Sequence, residues 1–345
     1  MSKNPEIITG FKYAEISDIV FCGVFLGSQI NELNLKENVE DYISEKEYVF
    51  IRKKQFTLKE NDIIFCKTEF IKELFSILRK VDNFKNIKLI THQSDIAINK
   101  RLYSMKPDCI STWYSINVKF NAPDLVPIPI GIANFHSKNL NENSFGSISK
   151  TENYFVRKNK LLYLNFNINT NFQHRKSLFE QFRNFNWVNY DLTPISFENY
   201  LINLKNHQFV LAPWGNGIDT HRFWEILYSG SIPITKDHNL YRSFNTIPKL
   251  LIDNYKSVTE KHLINKFEEI LDNKDKFTLK ELDFNYWKKI ITKKNFKEDE
   301  LVQSIELKNK KYLYYKYYVA VIHYIKSKLK IINRLRRFFY KKFKI

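Results

Sequence analysis

Between residues 208 and 235 the chain passes through an apolar stretch, QFVLAP, and a loop, PWGNG. A helical stretch from Asp219 to Tyr228, a further glycine and a second apolar stretch, SIPIT, follow. A strand, a glycine-rich loop, a helix and another strand in that order make one unit of an α/β sheet, and the loop falls outside the carboxyl end of the first strand, where open α/β sheets bind ligands. Gly215 and Gly217 let the backbone turn tightly and come close to a ligand. The helix behind them points its unbonded N–H groups and the positive end of its dipole at the loop, so the corner suits an anion.

The same alternation runs in both directions. Before the unit, DIVFCGVFLG (18–27), DIIFC (62–66), KLITHQS (88–94), CISTWYS (109–115) and LVPIPIGIA (125–133) read as buried parallel strands. Between the second and third, Phe70, Leu74, Phe75 and Leu78 recur at helical spacing within 69–81. The polar stretch 136–155 is a linker candidate. Beyond it, KLLYLNFNI (160–168), WVNYD (187–191), QFVLAP, SIPIT and LLIDN (250–254) alternate with helical patterns at 174–185, 196–205 and 219–228. Further helices are expected over 264–271 and 286–327.

A chain of 345 residues suits two domains of this kind. The expectation is an α/β protein with two Rossmann-like domains, residues 1–145 and 156–305, followed by a basic helical tail, 306–345. With 43% hydrophobic and 27% charged residues the composition is that of a globular chain, which excludes a disordered one. The three cysteines, Cys22, Cys66 and Cys109, are far apart and form no CxxC pair, so neither a disulfide framework nor a zinc site is expected. No basic segment followed by an apolar one opens the chain, and no apolar run approaches the length of a membrane span. A cytoplasmic protein, soluble or peripheral on the cytoplasmic face of a membrane, is the resulting expectation.

Within the central unit, Arg222 and Glu225 stand three residues apart and share a helical face near its N-terminal end. A guanidinium there suits a diphosphate, and a carboxylate suits the paired hydroxyls of a ribose. A Gly-x-Gly loop alone is weak evidence, since Asp219 also suits an N-cap and Arg222 with Glu225 a surface ion pair. Weight comes from the density of polar groups between two apolar strands. Phe223, Trp224, Ile226 and Leu227 are assigned to packing.

The segment GNGIDTHRFWE (215–225) with LYSGSIPIT (227–235) resembles the donor-site signature of exostosin-like glycosyltransferases of the GT-B class. THQSD (91–95), Trp113, PIPIG (127–131), YLNFN (163–167), His174 and Arg175 are similar to stretches that such proteins carry, so the resemblance spans about 62–255. It implies a nucleotide-sugar donor in the C-terminal domain, an acceptor glycan or lipid-linked saccharide mainly in the N-terminal domain, and transfer in the cleft between them during surface polysaccharide synthesis. It places Arg222 on the diphosphate and Glu225 on the ribose. Gly215, Asn216 and Gly217 fall beside the phosphates or sugar, with Asp219, Thr220 and His221 grouped at the same site. Arg175 is a candidate second phosphate ligand, the alternative being an exposed helix arginine.

No paired Asp-x-Asp stands at a strand end, so no metal or other cofactor is expected, and the leaving group's charge would be met by arginines and helix dipoles. In the first half, Asp95 follows a strand at its carboxyl end and is the candidate general base, with His92 as competitor; the alternative is that THQSD is a polar turn. Asn117 and Asn134 are weaker candidates for the same cleft.

The formal net charge is +18, and the segment after Glu306 supplies 13 positive charges and no negative one. Aromatics interleave with the basic residues over 312–345, which suits an anionic membrane surface or nucleic acid. A transferase acting on a lipid-linked saccharide calls for the membrane, so nucleic acid is not the expected partner. Two other readings stay open: a nucleic-acid-binding protein with a structural Gly-Asn-Gly loop, and a catalytically inactive sugar-nucleotide-binding module.

Overall fold

The computed structural model describes residues 6–133, 152–293 and 302–306, apart from Asn34, Asn38, Lys46, Glu47, Asp82, Thr193 and Pro194. The strands are β1 (Ile19–Leu26), β2 (Val39–Glu45), β3 (Tyr48–Lys53), β4 (Gln55–Lys59), β5 (Ile63–Lys67), β6 (Ile87–His92), β7 (Ile110–Ser115), β8 (Leu125–Pro127), β9 (Lys160–Leu164), β10 (Val188–Tyr190), β11 (His207–Leu211), β12 (Ile232–Lys236), β13 (Leu250–Ile252) and β14 (Val302–Glu306).

Two α/β sheets result. The first has the order β2-β3-β1-β5-β6-β7-β8 and is parallel from β1 through β8, with β3 and β2 added antiparallel at one side. The second, β10-β9-β11-β12-β13, is parallel throughout. Every residue of β5, β6 and β11 is buried, as expected of strands covered on both faces, and this is why their sequences are nearly unbroken apolar runs. The second sheet counts its strands 2-1-3-4-5, the order of a doubly wound sheet, whose ligand crevice lies beyond the carboxyl ends of the strands.

One hydrophobic core runs from Ile8 through Trp113 and Trp224 to Ile305 and joins the two halves, and a second fills the far side of the second sheet around Leu162, Phe209 and Leu263. Trp113 and Trp224 are fully buried, each with its indole N–H bonded, to Thr91 Oγ1 at 2.7 Å and to Asp219 Oδ1 at 2.8 Å. Truncating either would cost about 3–5 kcal/mol.

The segment after the second sheet departs from expectation. Helix Phe284–Thr292 ends where a longer helix was expected, and β14 then pairs antiparallel with β4 of the first half. The helix packs there too: Phe284 N–H donates to Glu6 O at 2.8 Å, and Lys88 Nζ donates to Ile291 O at 2.7 Å. Helix Phe284–Thr292 thus touches the first half as well as the second, where Trp287 meets Phe244 and donates to Glu281 O, and β14 is seated on the first. A buried lysine at the carboxyl end of a helix meets its last carbonyls and its dipole.

The hairpin β2–β3 and strand β4 were not anticipated. β8 covers only the first part of the expected strand 125–133; Gly131 further on turns the chain at φ +65°, where a Cβ would lie 2.2 Å from Ile8 O. Asn134, most of the linker, and the tail readings over 307–345, including the membrane surface, lie outside the described residues. Among those described, no helix is long and apolar enough to cross a membrane.

Candidate functional site

The loops at the carboxyl ends of the two sheets meet. Asn117 receives Asp219 N–H on Oδ1 at 2.8 Å and donates from Nδ2 to Ser94 O at 2.9 Å. Asp219 Oδ2 accepts Ile130 N–H at 2.8 Å, His221 Nδ1 pairs with Gly131 O at 2.7 Å, and Asn216 Nδ2 donates to Asp95 Oδ2 at 3.3 Å. Gly217 lies against Asn117, whose amide a Cβ would meet at 2.9 Å. The close approach that Gly217 permits is therefore to the other half of the chain.

Helix His221–Tyr228 begins two residues later than expected. Thr220 is its N-cap, accepting Phe223 N–H at 3.4 Å, and every residue from Phe223 on is buried. Asp219 does not cap. It is 3% exposed and accepts Ile130 N–H, Thr220 N–H and Trp224 Nε1–H. Burial pushes its carboxyl up to about 7 against the pull of these bonds, a common response of a buried acid. With three protein donors on it, Asp219 helps to join the halves.

Arg222 is half-buried at the start of the helix. Its Nη1 donates to the Tyr200 hydroxyl at 3.2 Å, its guanidinium lies 5.2 Å from the centre of that ring, and the same hydroxyl donates to Glu225 Oε2 at 2.9 Å. Tyr200 thus stands between the arginine and the acid. Glu225 is 4% exposed, so its assigned ribose contact requires Tyr200 to give way.

Arg175 is not the exposed helix arginine of the alternative reading. It is 7% exposed and donates from Nε to Trp214 O, from Nη1 to Asn167 O and from Nη2 to Pro213 O, at 3.0, 3.1 and 3.0 Å. It fastens the loop that carries Gly215 and Asn216. Burial, with the Arg222 charge second, lowers it to about 10, so the two guanidinium groups are near enough to repel. Among the described residues neither forms an ion pair.

Further cations gather along this rim. Lys236, at the end of β12, lies 6.0 Å from the centre of the Trp214 ring, which His238 meets edge-on at 5.4 Å. Burial first, and then the charges of Lys236 and Arg175, lower His174; burial first, and then Lys119 from the other half, lower His238. The two half-buried imidazoles, held towards the neutral form chiefly by burial, thus stand among cations that an anion would offset.

On the first half, a cavity of 340 Å³ is walled by residues that include Glu69, His92, Gln93, Ser94, Asp95, Ile130 and His221. Asp95 reaches it from the surface. His92 does so from the interior, 2% exposed, with Nδ1 accepting Gln93 N–H at 2.8 Å and Nε2 without a partner. Burial, with the His221 charge second, holds its pKa down at about 3 against the Pro129 and Ile130 carbonyls, which approach without closing a hydrogen bond to Nε2. Nδ1 is taken by Gln93 N–H and burial disfavours the charged ring, both of which weigh against His92 as the competing base. Gln93 holds a left-handed backbone at φ +60°, with its side-chain amide bonded both ways to the Val24 backbone at 2.7 Å. Strain of this kind persists where the surroundings fix it, often beside sites.

Tyr200, Trp214, Lys236 and Glu69 escaped the sequence reading. Trp214 adjoins the glycine loop and Lys236 ends the SIPIT strand, so position at a carboxyl strand end was the usable signal for both. Tyr200 had none. Among the described residues no three His, Cys, Asp or Glu side chains converge as metal ligands. The chain matches no protein-family model and no curated protein sequence.

Proposed function

We propose that this chain is a glycosyltransferase of GT-B architecture, transferring a sugar from a nucleotide-sugar donor to a glycan or lipid-linked saccharide, with the donor on the second half and the acceptor on the first. The observation that carries this is Arg222 at the N-terminus of helix His221–Tyr228, half-buried, its charge felt by Arg175, with no ion pair to either among the described residues. An anion there gains a charge-assisted hydrogen bond from Arg222, the helix dipole, and relief of the repulsion between the two guanidinium groups. The resemblance of 215–235 to exostosin-like donor sites narrows that anion to the diphosphate of a nucleotide sugar.

In this reading Arg222 and Lys236 meet the charge that grows on the leaving nucleoside diphosphate, so the step needs no metal ion. The acceptor hydroxyl oxygen bonds to the anomeric carbon as the bond from that carbon to the diphosphate oxygen breaks. Asp95 takes the hydroxyl proton. Its bond to Asn216 of the donor loop couples the base to donor occupancy.

The test is slow hydrolysis of a panel of UDP-, GDP- and CMP-sugars. Turnover of at least one, abolished in Arg222→Ala, supports the reading. No turnover and no binding across the panel, with Arg222→Ala and Glu225→Ala indistinguishable from wild type, would sink it.

A further inference from the structure

Charge is divided between the two sides of the site. Arg222, Arg175 and Lys236 crowd the rim of the second half, whereas the cavity of the first half carries two carboxylates, Glu69 and Asp95. Among the described residues that line it there is no lysine or arginine. Lys67 ends β5. It is spent on Glu69 at 2.5 Å and on Gln93 O at 2.9 Å, so it is a tether.

The rest of the lining suits hydroxyl groups and the faces of a ring. Ser94 and His92 present polar atoms, Tyr48 and Ile130 apolar surface. His92 is the independent sign that a ligand belongs here. Because its Nδ1 accepts from Gln93, its neutral ring carries the proton on Nε2, a buried donor that the nearby Pro129 and Ile130 carbonyls do not fully meet, and a poorly met buried donor is costly. A hydroxyl oxygen entering the cavity would satisfy it. A volume of 340 Å³ is in the range of small-molecule sites and has room for a sugar ring.

Resting on the transferase reading, we propose that this cavity receives the terminal sugar of the acceptor and selects a sugar bearing no anionic group. A neutral sugar donates hydroxyl hydrogens to the two carboxylates, and an amine-bearing one gains further. A uronic acid or sugar phosphate would set a further negative charge beside Asp95 and the Glu69 carboxylate that Lys67 only partly offsets. At an effective dielectric of about 20, a like charge a few ångströms away disfavours the anionic sugar by at least about tenfold.

The experiment is saturation-transfer NMR on the full chain without donor, using neutral and N-acetylated methyl hexosides and the methyl uronides of matching configuration. At least one neutral sugar should bind, its uronide at least tenfold more weakly. Glu69→Gln should shrink that ratio threefold or more while nucleotide-sugar binding stays as in wild type. Uronides binding as well as their neutral counterparts would overturn the proposal, as would a ratio untouched by Glu69→Gln. If nucleotide sugars bind and no hexoside does, the cavity is not the acceptor site and the transferase reading stands without it. If neither binds, both fall.

Discussion

The Asp219 carboxylate holds the backbone N–H of Ile130 at 2.8 Å, so a buried acid just before helix His221–Tyr228 is one of the groups that join the two halves. The same side chain also satisfies Trp224 Nε1. Asp219→Ala would leave both buried donors unmet, at about 1–3 kcal/mol each. Urea unfolding should show a loss of about 3 kcal/mol or more. A loss under about 1 kcal/mol would mean that Asp219 does not join the halves.

The pH dependence of that bond has a definite sign. Burial raises Asp219 to about 7, while in the unfolded chain it titrates near 4, so between about pH 4 and 7 the folded protein keeps a proton that the unfolded one has released. The stability that Asp219 adds is complete below that window and declines as pH rises through it. The gap in unfolding free energy between wild type and Asp219→Asn should be wider at pH 5 than at pH 8. A pH-independent gap would contradict the assignment.

His92 works in the other direction. Its folded pKa is held down at about 3, so as pH falls from about 6.5 the unfolded chain takes up a proton that the folded chain refuses, and stability is lost. Burial holds His207 down at about 4 with the same consequence. Relative to wild type, His92→Gln should lose less stability between pH 7 and pH 4.5, measured by thermal unfolding; equal acid sensitivity would contradict the burial of the neutral form.

Arg175 and Arg222 should separate by measurement. Arg175→Lys cannot reach the Trp214, Pro213 and Asn167 carbonyls together, since only the planar guanidinium presents donors in a fixed fork. It should lower the melting temperature and loosen the glycine loop. Arg222→Ala should leave the melting temperature within about 2 °C, because that side chain is half-exposed and spends one bond on Tyr200. A reversal of the two would contradict the assigned roles.

Tyr200→Phe removes the hydroxyl that links Arg222 to Glu225. A loss of about 1–2 kcal/mol in stability is expected from the buried bond alone. If the ribose is to reach Glu225, the tyrosine must move, so donor affinity should change in Tyr200→Phe and not in Tyr190→Phe, on the exposed end of β10. Equal affinity in both would remove Glu225 from the donor site.

What the sequence made legible follows burial. Strands β5, β6 and β11 are covered on both faces and so appear as apolar runs, and the strand, loop and helix around the PWGNG segment were readable for the same reason. The start of the helix was misplaced because Asp219 and Thr220 are both good caps, and only the pull of Ile130 N–H decides between them. Arg175 and His92 look like surface or catalytic groups on paper. Their partners are backbone atoms, the Pro213 carbonyl and the Gln93 amide among them, which no side-chain pattern encodes. The β14–β4 pairing joins segments about 245 residues apart with mostly exposed side chains on β14, so periodicity alone does not announce it. The hairpin β2–β3 alternates too weakly beside its charged residues to stand out.

The central claim is that Arg222 and the helix behind it hold a nucleotide-sugar diphosphate. Isothermal titration of UDP-, GDP- and CMP-sugars into the wild-type chain and into Arg222→Ala tests it most directly. Loss of a charge-assisted contact to a diphosphate is worth about 2–3 kcal/mol. The account predicts that at least one donor binds the wild type and binds Arg222→Ala thirtyfold or more weakly, with unfolding of the two proteins superimposable. Binding of equal strength to both, or to neither, would contradict it.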